Sequence, residues 1–202
     1  MNKLLLFCAV WCGSLNAFAQ NFQLKSENPE SVSLAHHFRE KSFQYREING
    51  QSTIDFAKTF KILTHEKGAP ALPLFHETIQ LPEKGNPSIE VTYGEITVFE
   101  NVVITPSKGV LKRNVDPGSV AYAFGEAYSQ NSFYPGNVAS LKTPFIWRAM
   151  RGAVIEVAPY QYNPVTKQLI VYKDIRIKVN TDTVVGGENE LNGQKDQVMK
   201  SI

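Results

Sequence analysis

Cysteine is almost absent from this 202-residue chain: there are two, Cys8 and Cys12, both close to the N-terminus. Histidine is scarce, with four, and neither sign of charge dominates, since 21 Lys and Arg stand against 19 Asp and Glu. No apolar run is long enough to cross a bilayer as a helix. Long capped helical patterns are missing as well. Each absence excludes something. The even charge argues against a nucleic-acid or membrane-surface partner. His36 and His37 are adjacent, so a strand would point them to opposite faces, and no third ligand lies at a useful spacing. His65-Glu66 is half of a zinc-binding motif whose second histidine does not follow. No metal or other cofactor is expected. A serine elbow and a phosphate loop are also lacking. The acid pair Glu188 and Glu190 falls in a linker where nothing is expected to orient it.

Residues 1–19 have the pattern of a secretory signal. Lys3 supplies the positive start, Leu4 to Trp11 the short apolar core, and Ala17-Phe18-Ala19 the small residues before a cleavage point between Ala19 and Gln20. Cys12 follows the bulky Trp11, which does not suit a lipid-anchoring site. Cleavage removes both cysteines, so the mature chain has neither a disulfide framework nor a thiol nucleophile. It cannot be a cysteine peptidase by itself, and its stability must come from burial. Loss of Lys3 lowers the formal net charge from +2 to +1, because residues 1–19 hold no acid. The destination is the periplasm or the outside of the cell.

The mature chain reads as short strands separated by Gly and Pro. Asn49-Gly50 marks a hairpin between Phe43–Ile48 and Thr53–Phe60. Phe60 to Phe75, with Pro70 and Pro73, suits a packed edge strand or connector. Glu77–Leu81, Ile89–Thr92 and Glu95–Ile104 are strand-like, with a bulge expected at Gly94. Val154–Val157 and Gln168–Val179 are expected to pair around the turn Asn163–Lys167. In the second of these, Leu169, Val171, Ile175, Ile177 and Val179 share one parity, broken at Lys173. Beyond Asn180 the composition changes to a flexible linker, 181–202. The expectation is an all-β fold: a β-sandwich, jelly-roll-like, as a single domain over residues 20–180.

The residues with a chemical use are basic and aromatic. Lys108 to Asp116 forms a basic loop between the turn-formers Pro106 and Pro117, with Lys112 and Arg113 near its middle. A guanidinium held there can enter an acidic pocket through a two-pronged, charge-assisted hydrogen bond. Phe124, Tyr128, Phe133 and Tyr134 either pack beneath the loop or make a stacking surface for sugars. Arg148 and Arg151, beside Trp147, either belong to a partner surface or flank a strand.

Four segments carry a family resemblance: PSKGVLKRNVDP, AYSQNSFYPGNVASL, PFIWRAMRGAV and APYQYNPVTKQLIVY, with EKGAPALP before them. They resemble the N-terminal pro-domain of the gingipain-type secreted cysteine peptidases. The resemblance implies a pro-domain that keeps an Arg/Lys-specific cysteine endopeptidase latent and assists its folding. Its partner would be the catalytic domain of that peptidase, in cis or in trans. The family's pattern places Lys108, Gly109 and Arg113 in an inhibitory loop, with Arg113 as the pocket residue and Lys112 as the alternative. A complete member continues into a peptidase domain, so the chain is either part of a longer precursor or an inhibitor acting in trans. Lys195 and Lys200 would suit processing. The competing reading is a secreted carbohydrate- or surface-binding β-sandwich, which requires a row of exposed aromatics on one sheet face.

Overall fold

The computed structural model describes residues 22–28, 31–37, 42–181 and 186–191. The expected signal peptide, its Ala19–Gln20 cleavage point, Lys195 and Lys200 lie outside the described residues. In chain order the strands are β1 (Phe22–Asn28), β2 (Ser31–His36), β3 (Tyr45–Ile48), β4 (Gln51–Ile54), β5 (Phe75–Leu81) and β6 (Pro87–Thr92). They continue with β7 (Ile96–Phe99), β8 (Ala139–Leu141), β9 (Phe145–Trp147), β10 (Met150–Val157), β11 (Tyr160–Asn163), β12 (Gln168–Tyr172) and β13 (Ile175–Thr181). Helical structure among the described residues is confined to short 3-10 turns at Phe56–Lys58, Pro117–Ser119 and Glu126–Ser129. The all-β expectation holds.

Two antiparallel sheets form the sandwich, one in the order β1-β2-β13-β6, the other β5-β10-β8 with β9 also on β10. Strand alternation decides which face is covered. Ile175, Ile177 and Val179 are buried while Arg176 and Lys178 are exposed. The inward residues of both sheets meet in one core: Val32, Leu34, Ile79, Leu81, Ala153, Ile155, Val157, Ile175, Ile177 and Val179. Full burial of each large aliphatic side chain stabilises the fold by roughly 1.5–3 kcal/mol. A third sheet, β11-β12-β7, lies over a second core of Ile54, Phe56, Leu72, Ile104, Tyr160, Tyr162, Leu169 and Val171. Phe75 packs against both cores.

The third sheet corrects three sequence expectations. Gln168–Val179 is not one strand: it breaks at Lys173-Asp174, where Asp174 takes φ 50°. β12 then stays in the third sheet and β13 joins the first. Gly94 is not a bulge within a strand but the point where the chain crosses from β6 to β7. The two crossings lie side by side. Lys173 N–H donates to the Glu95 carbonyl at 2.9 Å, Lys173 Nζ lies 2.9 Å from Glu95 Oε1, and Tyr93 meets Tyr172 edge-to-face at 4.5 Å. A Cβ on Gly94 would come 3.4 Å from Asp174 Cβ. Finally, β10 pairs with β5, β8 and β9, and the hairpin partner of β12 is β11. Asn163 Oδ1 accepts from Val165 N–H at 3.1 Å and Thr166 N–H at 3.3 Å, and this shapes the turn between them.

Asn49 (φ 52°) and Gly50 (φ 76°) make the expected hairpin turn between β3 and β4. Both residues are left-handed, as the twist of such a turn demands. Phe60 to Phe75 is a connector, with Ala69 to Leu74 buried. The linker expectation needs revision over 186–191. Glu190 is held: its Oε1 accepts from the N–H groups of Gly85 (3.0 Å), Gly186 (3.0 Å) and Gly187 (2.8 Å). Leu191 N–H donates to Glu83 O at 2.8 Å, and Asn189 Nδ2 donates to Pro144 O at 2.6 Å. The glycines read as linker residues permit this approach, since a Cβ on Gly187 would overlap the Gly85 carbonyl.

Candidate inhibitory loop

The basic loop begins inside the second core. Ile54 and Thr105 bond backbone to backbone, Thr105 N–H donating to Ile54 O at 2.9 Å, and the Thr53 and Thr105 hydroxyls meet at 2.8 Å. The next residues are stitched to the EKGAPALP run. Ala71 N–H donates to Thr105 O (3.0 Å), Ser107 N–H to Ala69 O (2.8 Å) and Gly68 N–H to Ser107 O (2.9 Å). Pro106 is buried against Pro70. The proline spacing therefore keeps an extended partner strand in place for the neck of the loop.

Beyond Ser107 the chain leaves the body. Gly109 takes φ 76°, a left-handed conformation that favours glycine, and a Cβ there would sit 3.0 Å from Lys67 Cβ. Val110 is 82% exposed. Val115 N–H donates to Lys112 O at 3.0 Å, so Arg113 and Asn114 are the central residues of a turn, and both are exposed. Asp116 then closes the loop. Its Oδ1 accepts from Gly118 N–H at 2.9 Å, and its carbonyl accepts from the Ser119 hydroxyl at 2.7 Å.

Of the predicted loop residues, Arg113 and Lys112 stand at the apex, while Lys108 and Gly109 stand at the neck. Lys108 is not a free charge. Its Nζ donates to Pro117 O at 2.6 Å across the loop and lies 4.1 Å from the centroid of the Tyr122 ring. Arg46 lies 5.3 Å from the same ring and donates through Nε to Asp55 Oδ2 at 2.7 Å. That hydrogen bond holds the Arg46 guanidinium above its ordinary pKa. Tyr122 and Arg46 were not singled out from sequence, because nothing near either one marks it as a brace.

Of the aromatic cluster, Tyr128 and Tyr134 pack against the second core at the foot of the loop, whereas Phe124 is 37% exposed. Tyr128 donates its hydroxyl to Ile104 O at 2.6 Å, and burial pushes that phenol well above its usual range. Tyr162 donates to Val102 O at 3.0 Å and burial pushes its phenol up to about 12. Phe124 meets Tyr128 edge-to-face at 4.7 Å. Tyr134 exchanges two backbone bonds of 2.9 Å with Tyr162, and Phe133 is half-buried. The sugar-binding reading required a row on one face. Among the described residues the exposed rings Tyr45, Tyr93, Phe124 and Trp147 instead lie on β3, at the β6–β7 crossing, before the 126–129 turn and on β9.

A close backbone crossing fixes the cluster to the neck. Gly125 N–H donates to Gly68 O at 2.8 Å, and a Cβ on Gly68 (φ 81°) would lie 2.9 Å from Gly125 Cα. Sequence reading could not join these glycines, which are far apart in the chain.

Arg148 and Arg151 separate. Arg148 is exposed at the turn between β9 and β10, with φ 57°. Arg151 is 1% exposed, so of its two alternatives, partner surface or strand flank, the first is corrected. Its parity matches Ala153 and Ile155, which point it inward, where it donates to Pro82 O (3.2 Å), Gly85 O (2.9 Å) and Glu188 O (2.7 Å). Of the histidine pair, His36 is buried between the Phe22 and Phe75 rings, and His37 Nδ1 lies 2.7 Å from Asp174. Among the described residues, no three His, Cys, Asp or Glu side chains cluster to hold a metal.

Comparison with known proteins places this all-β body, with its braced and exposed basic turn, among propeptide domains, a non-catalytic class. The family model for Propeptide_C25 matches residues 24–201, and the chain belongs to that family. It is 35% identical to Gingipain R1 of Porphyromonas gingivalis over 95% of its own length and 12% of the relative's. Against Gingipain R2 of the same organism it is 33% identical over 87% of its length and 25% of the relative's. The chain thus spans a quarter or less of the curated relatives it matches. Among solved structures it is similar to the complex of Porphyromonas gingivalis RgpB pro- and mature domains, with a TM-score of 0.77 and 28% identity, covering 85% of this chain and 88% of that one. The structure addressing zymogenic latency of gingipain K shares the fold, with a TM-score of 0.66 and 21% identity over 84% of this chain and 97% of that one.

Proposed function

We propose that this chain is exported through a cleavable signal at residues 1–19 and keeps an Arg/Lys-specific cysteine endopeptidase latent while assisting its folding. The loop between Pro106 and Gly118 lies in the active-site cleft of the catalytic domain, with Arg113 in the primary specificity pocket. The observation that carries this reading is the position of Arg113 at the exposed apex of a turn whose neck is tied to the core. Lys112 is the leading corner of the turn and Arg113 its first central residue, so Arg113 stands nearer the apex. Support for the partner comes from the RgpB complex, whose likeness covers most of this chain. A guanidinium in an acidic pocket gains charge-assisted hydrogen bonds, and a preformed loop avoids most of the ordering cost of binding.

The test is inhibition of mature Gingipain R1 by residues 20–202. The expected result is tight inhibition that weakens by about 100-fold in Arg113→Ala, since losing one partner of a buried charge pair costs roughly 2–5 kcal/mol. Lys112→Ala should change it little. Equal inhibition by the wild type and Arg113→Ala would refute the pocket assignment. Inhibition lost only in Lys112→Ala would transfer the role to that residue.

A further inference from the structure

The β9–β10 hairpin ends in a tip that the loop reading leaves unexplained. Trp147 and Met150 are cross-strand partners, so their side chains share one face, and they are 62% and 44% exposed. Phe145 lies on that face two residues behind Trp147, opposite Gly152. A Cβ at Gly152 would come 3.1 Å from the Phe145 ring, so the missing side chain makes room for it. Arg148 occupies the turn, its guanidinium 5.6 Å from the centroid of the Trp147 ring. Aromatic, Met and Arg side chains are the types enriched where proteins bind one another, and Trp and Arg are the most frequent energetic anchors.

The tip is exposed, but its base is rigid. Arg151, the first residue beyond it on β10, is buried on three carbonyls. One of these, Glu188 O, belongs to the segment after β13, and Asn189 of that segment donates to Pro144, the residue before β9. Leu191, the last described residue, is therefore held beside the base of this hairpin. The relatives carry three quarters or more of their length outside the matched region. A domain tethered to this chain, of the kind paired with a pro-domain in the RgpB complex, would meet this tip at a raised effective concentration.

We infer that the hairpin tip, through Trp147, Met150 and Arg148, is a second docking site for the catalytic domain of the latent peptidase. It fits an apolar depression on that domain with a carboxylate at its rim. This rests on the latency reading and adds a contact remote from Arg113. The tip and the loop lie beyond opposite ends of β5, a strand about 20 Å long. Two contacts this far apart fix the orientation of the domain, which a single arginine cannot do.

The experiment measures inhibition of mature Gingipain R1 by residues 20–202 carrying Trp147→Ala, Arg148→Glu, or Trp147→Ala with Arg113→Ala. Thermal unfolding of each variant is recorded alongside. Trp147→Ala is expected to raise the inhibition constant about 30-fold. Arg148→Glu should raise it as well, and the Trp147 and Arg113 effects should multiply, as remote sites do. Wild-type inhibition retained in both single variants overturns the second site and leaves the latency reading intact. Unchanged inhibition with loss of self-association in Trp147→Ala assigns the tip to a second copy of this chain, which also overturns it. Failure of the wild type to inhibit overturns both readings.

Discussion

Acidification tests the first core through one side chain. His36 is buried between two phenylalanine rings, with centroids at 4.7 and 4.8 Å. Burial, and secondarily the charge of His37, lowers its pKa from 6.5 to about 4. Such a residue is neutral in the folded protein and protonated in the unfolded one between these values. Stability is therefore complete above pH 6.5, falls as the pH drops from 6.5 towards 4, and loses nothing more to this group below that. The gap of about 2.5, at about 1.4 kcal/mol for each, makes the loss on the order of 3 kcal/mol. That is a large share of the usual stability of a domain. The assay is urea unfolding of the wild type and His36→Leu at intervals from pH 7.5 to pH 4. The packing change shifts the variant by a constant amount, so the quantity to read is the difference in pH slope. The wild type should lose about 3 kcal/mol more than the variant across this range. Parallel curves would refute the reasoning, since the burial of His36 would then carry no proton linkage.

Three further perturbations address the loop neck, Arg151 and the Glu190 segment. Gly68→Ala forces a Cβ onto the Gly125 backbone at a left-handed φ and should lower unfolding stability by about 1–3 kcal/mol. The same variant should inhibit less well than wild type at equal folded concentration. Arg151→Leu strands the carbonyls of Pro82, Gly85 and Glu188, with an expected loss of about 3 kcal/mol in urea unfolding. In Glu190→Gln the charge leaves three backbone donors. The carboxyl is held below its ordinary pKa by the N–H groups of Gly85, Gly187 and Gly186, so its contribution is present at neutral pH and lost on acidification. Amide exchange at Gly186 and Gly187 should accelerate in the variant at pH 7, while exchange in β13 stays unchanged.

Short-range pattern was legible wherever one side chain or one turn decided the outcome. Asn49-Gly50 forces its hairpin because both positions are left-handed. The parity of Ile175, Ile177 and Val179 was read correctly because alternation depends on the strand alone. Which strands pair was less visible. Leu169 and Val171 share the parity of Ile175 and Ile177, yet the chain changes sheet between them at Asp174, and parity is silent about a sheet change. The site divided in the same way. Pro106 and Pro117 bracket a loop that is legible from spacing, whereas its brace on Tyr122 and the Gly68–Gly125 crossing join residues distant in sequence. Of the two alternatives for Arg151, burial removes the partner surface, because its place on β10 gives it the inward parity of Ala153 and Ile155. Glu190 was misread because Gly186-Gly187 signals flexibility where it provides close approach.

An exposed arginine on a loop is ordinarily a cleavage site for an Arg-specific peptidase, so the proposed latency would require more than Arg113. Productive cleavage needs the chain around the scissile bond to open and extend, and here that means breaking the Lys112–Val115 turn bond and the Lys108–Pro117 brace. Neither interaction is strong by itself, at about 1 kcal/mol for a neutral hydrogen bond and somewhat more for a charged donor. They persist because the neck cannot give way. Ser107, Thr105 and Ile104 are bonded into the second core, and Tyr128 anchors Ile104 from beneath. Holding each backbone residue in place costs roughly 1–2 kcal/mol of conformational entropy. That cost is met by burial of Ile54, Ile104, Tyr160 and Tyr162 when the domain folds, before any partner is present. The stiffness of the neck is thus a property of the second core, and under the proposed reading it is what would keep the loop from being cut. If that reading holds, damage to the core should turn Arg113 from an inhibitor into a cleavage site without any change at position 113.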